Sequence, residues 1–173
     1  MVPDINLQIA VVIKALRDVV APAVDAANKL AIEQLHLSIA TLGLVQQRLP
    51  LDLRRARREL QNAIQLAEEV HTAALEPQLH ISVAAARATL ADPRLDEAAL
   101  DGVRTELLAH VEAVVAAAVG GPSERQVARA VIVASRPQCD LARVICAPGG
   151  FDPAASELPP LDHQLPLVGI EVG

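Results

Sequence analysis

Residues 52–75 read DLRRARRELQNAIQLAEEVHTAAL, and this stretch decides the fold class. Its apolar residues recur every three to four positions, which is the period of an α-helix that buries one face. The predicted buried face consists of Leu53, Ala56, Leu60, Ile64, Ala67, His71 and Ala74. A second stripe of the same period consists of Ala99, Val103, Leu107, Val111, Val114 and Ala118. No segment alternates with period two over the length of a strand, so the sequence predicts an all-α protein.

Capping residues and prolines divide the chain into helices. Asp4 and Asp52 stand where an N-cap is expected, and Pro77 suits the first turn of a helix. A glycine pair and a later proline end two further helices. The predicted helices cover residues 4–20, 22–48, 52–75, 77–91, 96–119, 123–136 and 138–146.

The sequence predicts an internal repeat. Residues 34–40 read QLHLSIA and residues 78–84 read QLHISVA, with five of seven positions identical. The pattern predicts two helical hairpins, over 34–75 and 78–119, that close into an up-down four-helix bundle. With an extra N-terminal and an extra C-terminal helix, the bundle domain covers residues 1–146. Stacking as a two-unit solenoid is the alternative, although solenoids normally need three or more repeats.

The last 27 residues differ from the rest of the chain. They contain five prolines, four glycines, four acidic residues and no Lys or Arg, which predicts an extended tail over 147–173. An apolar segment lies near the end of this tail. We expect it to dock on the chain itself or on a partner, through Leu165, Leu167, Val168 and Ile170.

Composition favours some classes of protein over others. The 173 residues are 52% hydrophobic but only 1% aromatic, and the net charge is -6. The apolar surplus predicts a buried interface with another copy or with a protein partner. The apolar runs are too short for a membrane span, and the negative charge with so few aromatics argues against binding nucleic acid. Cys139 and Cys146 are expected to be reduced, buried small hydrophobes, and the absence of a signal peptide favours a cytoplasmic location.

Two Glu-x-x-His motifs make a metal site the first alternative. Ferritin-like bundles use this spacing to place a carboxylate and an imidazole on one face of a helix, where they bind iron or manganese. The structural interpretation is that the histidine of the second motif is a buried, hydrogen-bonded residue and that the glutamates are exposed. With two further residues of the fifth predicted helix, the candidate ligands are Glu33, His36, Glu68, His71, Glu106 and His110.

Two other groups have both a binding and a structural interpretation. His36 and His80 are equivalent in the repeat and could face each other, or each could be a retained surface or capping histidine. A basic cluster near the start of the third helix could bind an anion, or it could lie on a solvated face and pair with Glu59 or with the acidic tail. Its members are Arg54, Arg55, Arg57 and Arg58.

No catalytic motif is present. The sequence lacks Gly-x-Ser-x-Gly and any glycine-rich phosphate loop. We therefore expect a non-enzymatic helical-bundle protein without a cofactor, which acts through oligomerisation or as an accessory subunit. The alternatives are the metal protein, acting as an oxidase or in iron handling, and a helical module that binds a small apolar ligand in its Ala-lined interior.

Overall fold

A computed structural model describes residues 4–147 and 154–165. All regular structure within these residues is helical, which confirms the all-α prediction. A π-helical turn, Leu16–Val20, follows the first helix, and 3-10 turns occupy Leu49–Leu51 and Ala155–Glu157. The α-helices are α1 (Ile5–Ala15), α2 (Ala21–Ala23), α3 (Lys29–Arg48), α4 (Asp52–Ala74), α5 (Pro77–Ala91), α6 (Glu97–Ala118), α7 (Glu124–Ala134), α8 (Arg136–Cys146) and α9 (Leu161–Gln164).

Local side chains fix several helix starts at the predicted places. The carboxylate of Asp4 accepts a hydrogen bond from the N–H of Asn6 at 3.1 Å, and α1 begins at the next residue. The carboxylate of Asp96 accepts from the N–H of Ala99 at 2.9 Å and caps α6 in the same way. Pro77 occupies the first turn of α5, where its missing N–H costs no helical hydrogen bond.

Two predicted boundaries were wrong. The second helix was expected to restart at Pro22, but α3 begins at Lys29 because the Asn28 side chain caps it, accepting from the N–H of Ala31 at 3.1 Å. Pro137 was expected to close a helix. It lies instead in the first turn of α8, since a proline is tolerated at that position.

The chain divides into two compact units, Met1–Asp52 and Leu53–Gly173. In the first unit, α1 and α3 pack against each other as a helical hairpin. The side-chain amide of Gln46 donates to the carbonyl of Asn6 at 3.1 Å and ties the two helices together. The division falls directly after the first residue of α4, so the first predicted repeat is shared by both units.

The second unit contains the buried core. Nine of its fourteen hydrophobic core residues come from α4 and α5, and α6 and α7 supply the other five. The residues of the predicted α4 stripe from Ala56 to Ala67 are buried, whereas Leu53 is 39% exposed. The core is built from Ala, Val, Leu and Ile alone: Ala56, Leu60, Ala63, Ile64, Ala67, Val70, Leu79, Val83, Ala86, Leu100, Leu107, Val111, Ala118 and Val127.

The turn between α4 and α5 contains an unusual residue. Leu75 has a φ of +57°, a left-handed conformation that costs a non-glycine residue about 1 kcal/mol or more. Its N–H donates to the carbonyl of His71 at 2.7 Å, and its side chain is 78% exposed. At the end of α6 the corresponding left-handed position is occupied by Gly120, which adopts it without strain.

None of the described helices combines the length and the apolar character that a membrane crossing requires.

Candidate functional site

The N-terminal hairpin of α1 and α3 exposes an apolar surface. No residue of either helix is buried, although both are rich in Leu, Ile and Val. Nine large apolar residues of this unit are between 40% and 69% exposed. We call them the hairpin surface: Ile5, Leu7, Val11, Val12, Val19, Val20, Leu30, Leu37 and Val45.

The helix α3 carries apolar residues on two opposite faces. One face points to α1, because it contains Gln46, whose side chain reaches the α1 backbone, and the partly buried Leu35 and Ile39. Leu30 and Leu37 lie on the other face, seven residues apart, and are 67% and 53% exposed. Two helical turns separate such residues, so they lie on one face of α3, with the exposed Glu33 and Gln34 on the turn between them. Both leucines are left largely uncovered within the unit.

The tail docks on the second unit through one residue of the predicted apolar segment. Leu165 is 1% exposed, and the short helix α9 that precedes it contacts α8. The tail therefore contains packed helical structure, where only an extended chain was predicted. The other predicted contact residues, Leu167, Val168 and Ile170, lie outside the described residues. Docking of this segment on a separate partner stays a prediction.

The first Glu-x-x-His motif and the α6 candidates lie on solvent-facing surfaces. Glu33 and His36 are exposed on α3, and Glu106 and His110 are exposed on α6. The Nδ1 atom of His110 lies 2.7 Å from the hydroxyl oxygen of Ser82 on α5. Within residues 4–147 and 154–165, no three His, Cys, Asp or Glu side chains come together as a metal ion would require.

The second motif is used in contacts between helices. Glu68 accepts a hydrogen bond from the Nε of Arg87 at 2.7 Å, which links α4 to α5. The Nδ1 of His71 is 2.8 Å from the carbonyl oxygen of Glu76. Because a carbonyl oxygen only accepts, Nδ1 carries the proton. The rings of His71 and His80 are 5.4 Å apart between centroids and tilted by 39°, so the histidine that contacts His80 is one that the repeat did not predict.

The four arginines of the basic cluster differ in their contacts. Arg57 donates to the carbonyls of Leu90 and Asp92, at 2.8 and 2.7 Å, and so caps the C-terminus of α5. Arg58 donates to Gln61 of its own helix at 3.3 Å. The cluster is thus divided between structural contacts and the surface.

A buried carboxylate forms the centre of a polar network in the second unit. Glu59 is 9% exposed, and its Oε2 accepts from the Nη1 of Arg55 at 2.8 Å. The Nε of Arg104 on α6 lies 3.9 Å from the same oxygen. The amide of Gln138 on α8 donates to Oε1 at 3.5 Å and accepts from the Nδ2 of the buried Asn62 at 3.0 Å. One carboxylate therefore connects three helices, α4, α6 and α8.

The sequence indicated that the basic cluster could pair with Glu59 on a solvated face, but Glu59 is buried and belongs to a network that the sequence did not predict. The sequence did place Glu59 and Asn62 directly beside the apolar residues Leu60 and Ala63, which are buried. A polar residue beside the apolar face of a helix lies either at the edge of the core or inside it. Only the packing of α8 onto α4, which brings Gln138 to both residues, decides between the two.

The predicted burial of the two cysteines was wrong. Cys139 and Cys146 are both exposed free thiols. They share one face of α8, as their spacing indicates, but the face that α8 buries is the one with Leu141, which is 0% exposed. Cys139 also lies at the edge of a small cavity beside Glu59.

Comparison with known proteins identified no relative, since no protein-family model, curated protein or solved structure matches this chain.

Proposed function

We propose that this protein is a non-enzymatic helical protein that associates with a second copy of itself through the hairpin of α1 and α3. The observation that supports this proposal is the hairpin surface, nine large apolar residues in a unit whose two long helices bury nothing. A surface of this kind marks an interaction site on a folded protein.

The energy available from the surface depends on how many of its residues one partner covers. Burying a whole Val or Leu side chain contributes about 1.5–3 kcal/mol. Each residue of the hairpin surface is roughly half exposed, so covering it contributes on the order of 1 kcal/mol. Association costs about 4–15 kcal/mol in lost translational and rotational freedom, so a stable dimer must cover several of these residues on each copy.

Two properties favour a second copy as the occupant. The face of α3 with Leu30 and Leu37 points away from α1, and the same face of a second copy supplies identical apolar residues to pack against it about a twofold axis. Residues 1–52 carry four Lys or Arg and five Asp or Glu, so this unit contributes only -1 to the net charge of -6. Two such units meet with little electrostatic repulsion.

In this proposal helices of two chains pack against each other, whereas the repeat predicted a four-helix bundle within one chain. The α5–α6 pair remains within the second unit, where these helices pack against each other. No catalytic motif or metal cluster is needed for this role.

The test is the mass of the full chain in solution, measured by sedimentation velocity over a range of concentrations. Wild-type protein should sediment as a dimer, and the double variant Leu30→Glu, Leu37→Glu should sediment as a monomer. Glutamate is a good helix former, so far-UV circular dichroism should show that helix content is retained.

Ile132→Glu is the matched control, because Ile132 is 73% exposed on α7 in the other unit. It should leave the dimer intact. A monomeric wild-type protein whose stability falls in the double variant would show that the chain covers its own hairpin surface, and it would overturn the proposal. Loss of the dimer in the Ile132 variant would move the interface to the second unit.

A further inference from the structure

A cavity of about 110 Å³ lies where α4 and α6 meet the junction of α7 and α8. Most of its wall is apolar, with contributions from Ala63, Leu108 and Ala134. The polar part of the wall is the network of Glu59, and Cys139 lies at the rim. The cavity is therefore an apolar space with one carboxylate on its side.

The size of the cavity limits what it can hold. An engineered apolar cavity of about 150 Å³ in another protein stays dry and binds benzene. The present cavity, at about 110 Å³, is smaller, so a body of about five non-hydrogen atoms fits it. A largely apolar wall gives water few hydrogen-bond partners, which favours an organic molecule over solvent.

The two oxygens of the Glu59 carboxylate differ in how well they are bonded. Oε2 accepts from Arg55 at 2.8 Å, a normal charge-assisted distance. Oε1 accepts from Gln138 at 3.5 Å, which is long for an N–H···O hydrogen bond. A ligand with a better-placed donor would therefore gain a strong hydrogen bond at Oε1.

Charges of both signs surround the Glu59 carboxylate. A cation would meet the guanidinium groups of Arg55 and Arg104, which pair with Glu59 and also with Glu97 and Asp101. An anion would meet the carboxylate itself. We propose that this cavity binds a small uncharged molecule with an apolar body of about five non-hydrogen atoms and a single N–H or O–H group, which donates to Glu59 Oε1.

Pyrrole and furan are a matched pair of probes for this inference. Both are five-membered aromatic rings of nearly the same size, but pyrrole has an N–H donor and furan has none. The binding of each to the full chain is measured by titration, following backbone amide chemical shifts by NMR. Pyrrole should bind at least about tenfold more tightly than furan, since a hydrogen bond to a charged group has a free energy of that order.

Filling the cavity should abolish binding. Ala134 is 4% exposed and lines the cavity, so Ala134→Leu places extra carbon atoms within it. Ala116→Leu adds the same atoms at an exposed position of α6 and should leave pyrrole binding unchanged. Equal affinity for pyrrole and furan would overturn the role of Glu59. Equal pyrrole affinities for the two leucine variants would show that pyrrole does not bind in this cavity.

A thiol measurement tests the same site without a change in the cavity wall. In Cys146→Ser protein, pyrrole should slow the reaction of Cys139 with a methanethiosulfonate reagent, because Cys139 lies at the rim. In Cys139→Ser protein, pyrrole should leave the reaction of Cys146 unchanged. If Cys139 reacts at an unchanged rate when pyrrole saturates the NMR titration, pyrrole binds elsewhere on the protein and the inference is refuted.

Discussion

Replacing Arg57 with methionine should destabilise the protein by about 2 kcal/mol. The Arg57 guanidinium donates to the carbonyls of Leu90 and Asp92, at 2.8 and 2.7 Å. These carbonyls belong to the end of α5, where the last turn of a helix lacks intrahelical donors. Hydrogen bonds from a charged group contribute about 1.5–3 kcal/mol each, so the pair contributes roughly 3–6 kcal/mol.

Part of this contribution is offset by burial. The Nε of Arg57 is buried and has no hydrogen-bond partner among the described residues. Leaving such a group unpaired costs about 1–3 kcal/mol, and the Arg57→Met variant recovers that cost. Methionine also keeps much of the aliphatic packing of the arginine stem. The difference between the two effects gives the expected loss of about 2 kcal/mol.

Arg58→Met is the matched control, because Arg58 is the neighbouring residue but contacts Gln61 of its own helix at 3.3 Å. Its effect should stay within about 0.5 kcal/mol. Both variants are compared with wild type by urea unfolding at 25 °C, at equal protein concentration because self-association would add to stability. A loss of about 2 kcal/mol corresponds to roughly 4–8 °C in Tm. Equal losses for the two variants would refute the assignment of Arg57 as the cap of α5.

Three further outcomes are expected. Leu75→Gly should stabilise the protein by about 0.5 kcal/mol in urea unfolding, since glycine adopts the left-handed conformation (φ of +57°) without strain and the leucine side chain is exposed. A loss of stability would contradict the conclusion that Leu75 is strained. Leu165→Ala should cost about 2 kcal/mol and speed proteolysis of the tail, because Leu165 is 1% exposed; unchanged cleavage would show that the tail is held by other residues. The side-chain hydrogen bonds from Arg94, at 3.0 and 2.9 Å, lower the pKa of Asp92 below its ordinary 3.8. A lowered pKa means that ionised Asp92 stabilises the folded protein. This contribution is complete above about pH 4 and is lost as the pH falls through the folded-state pKa of Asp92. Carbon NMR should give Asp92 a midpoint below 3.8 that rises in Arg94→Ala.

Much of the secondary structure could be predicted because its causes are local. Asp4 and Asp96 cap helices through the N–H two or three residues ahead, and Pro77 opens a helix because of its own ring. Each of these effects acts over fewer than four residues, so it can be identified in the sequence. Where local signals competed, as at Pro22 and Asn28, the side chain with a backbone hydrogen bond determined the start of the helix.

The candidate sites were harder to predict because they depend on contacts between distant helices. His71 contacts His80, although the repeat had paired His80 with His36. Similar sequence in two helices indicates similar local structure, but it does not fix which helices become neighbours. The thiols of α8 were predicted to be buried, yet they are exposed because α8 packs through Leu141.

The sequence by itself determined that the protein is all-α, where most helices begin, and that the core is made of small and branched apolar residues. Helical period and capping are properties of short segments, so they are written into consecutive residues. The tertiary structure alone decided that Arg57 caps α5 while Arg58 stays on its own helix, and that Glu59 is buried beside a cavity. Neighbouring residues of one type differ in this way because each points in a different direction from the helix, and only packing determines what it meets there.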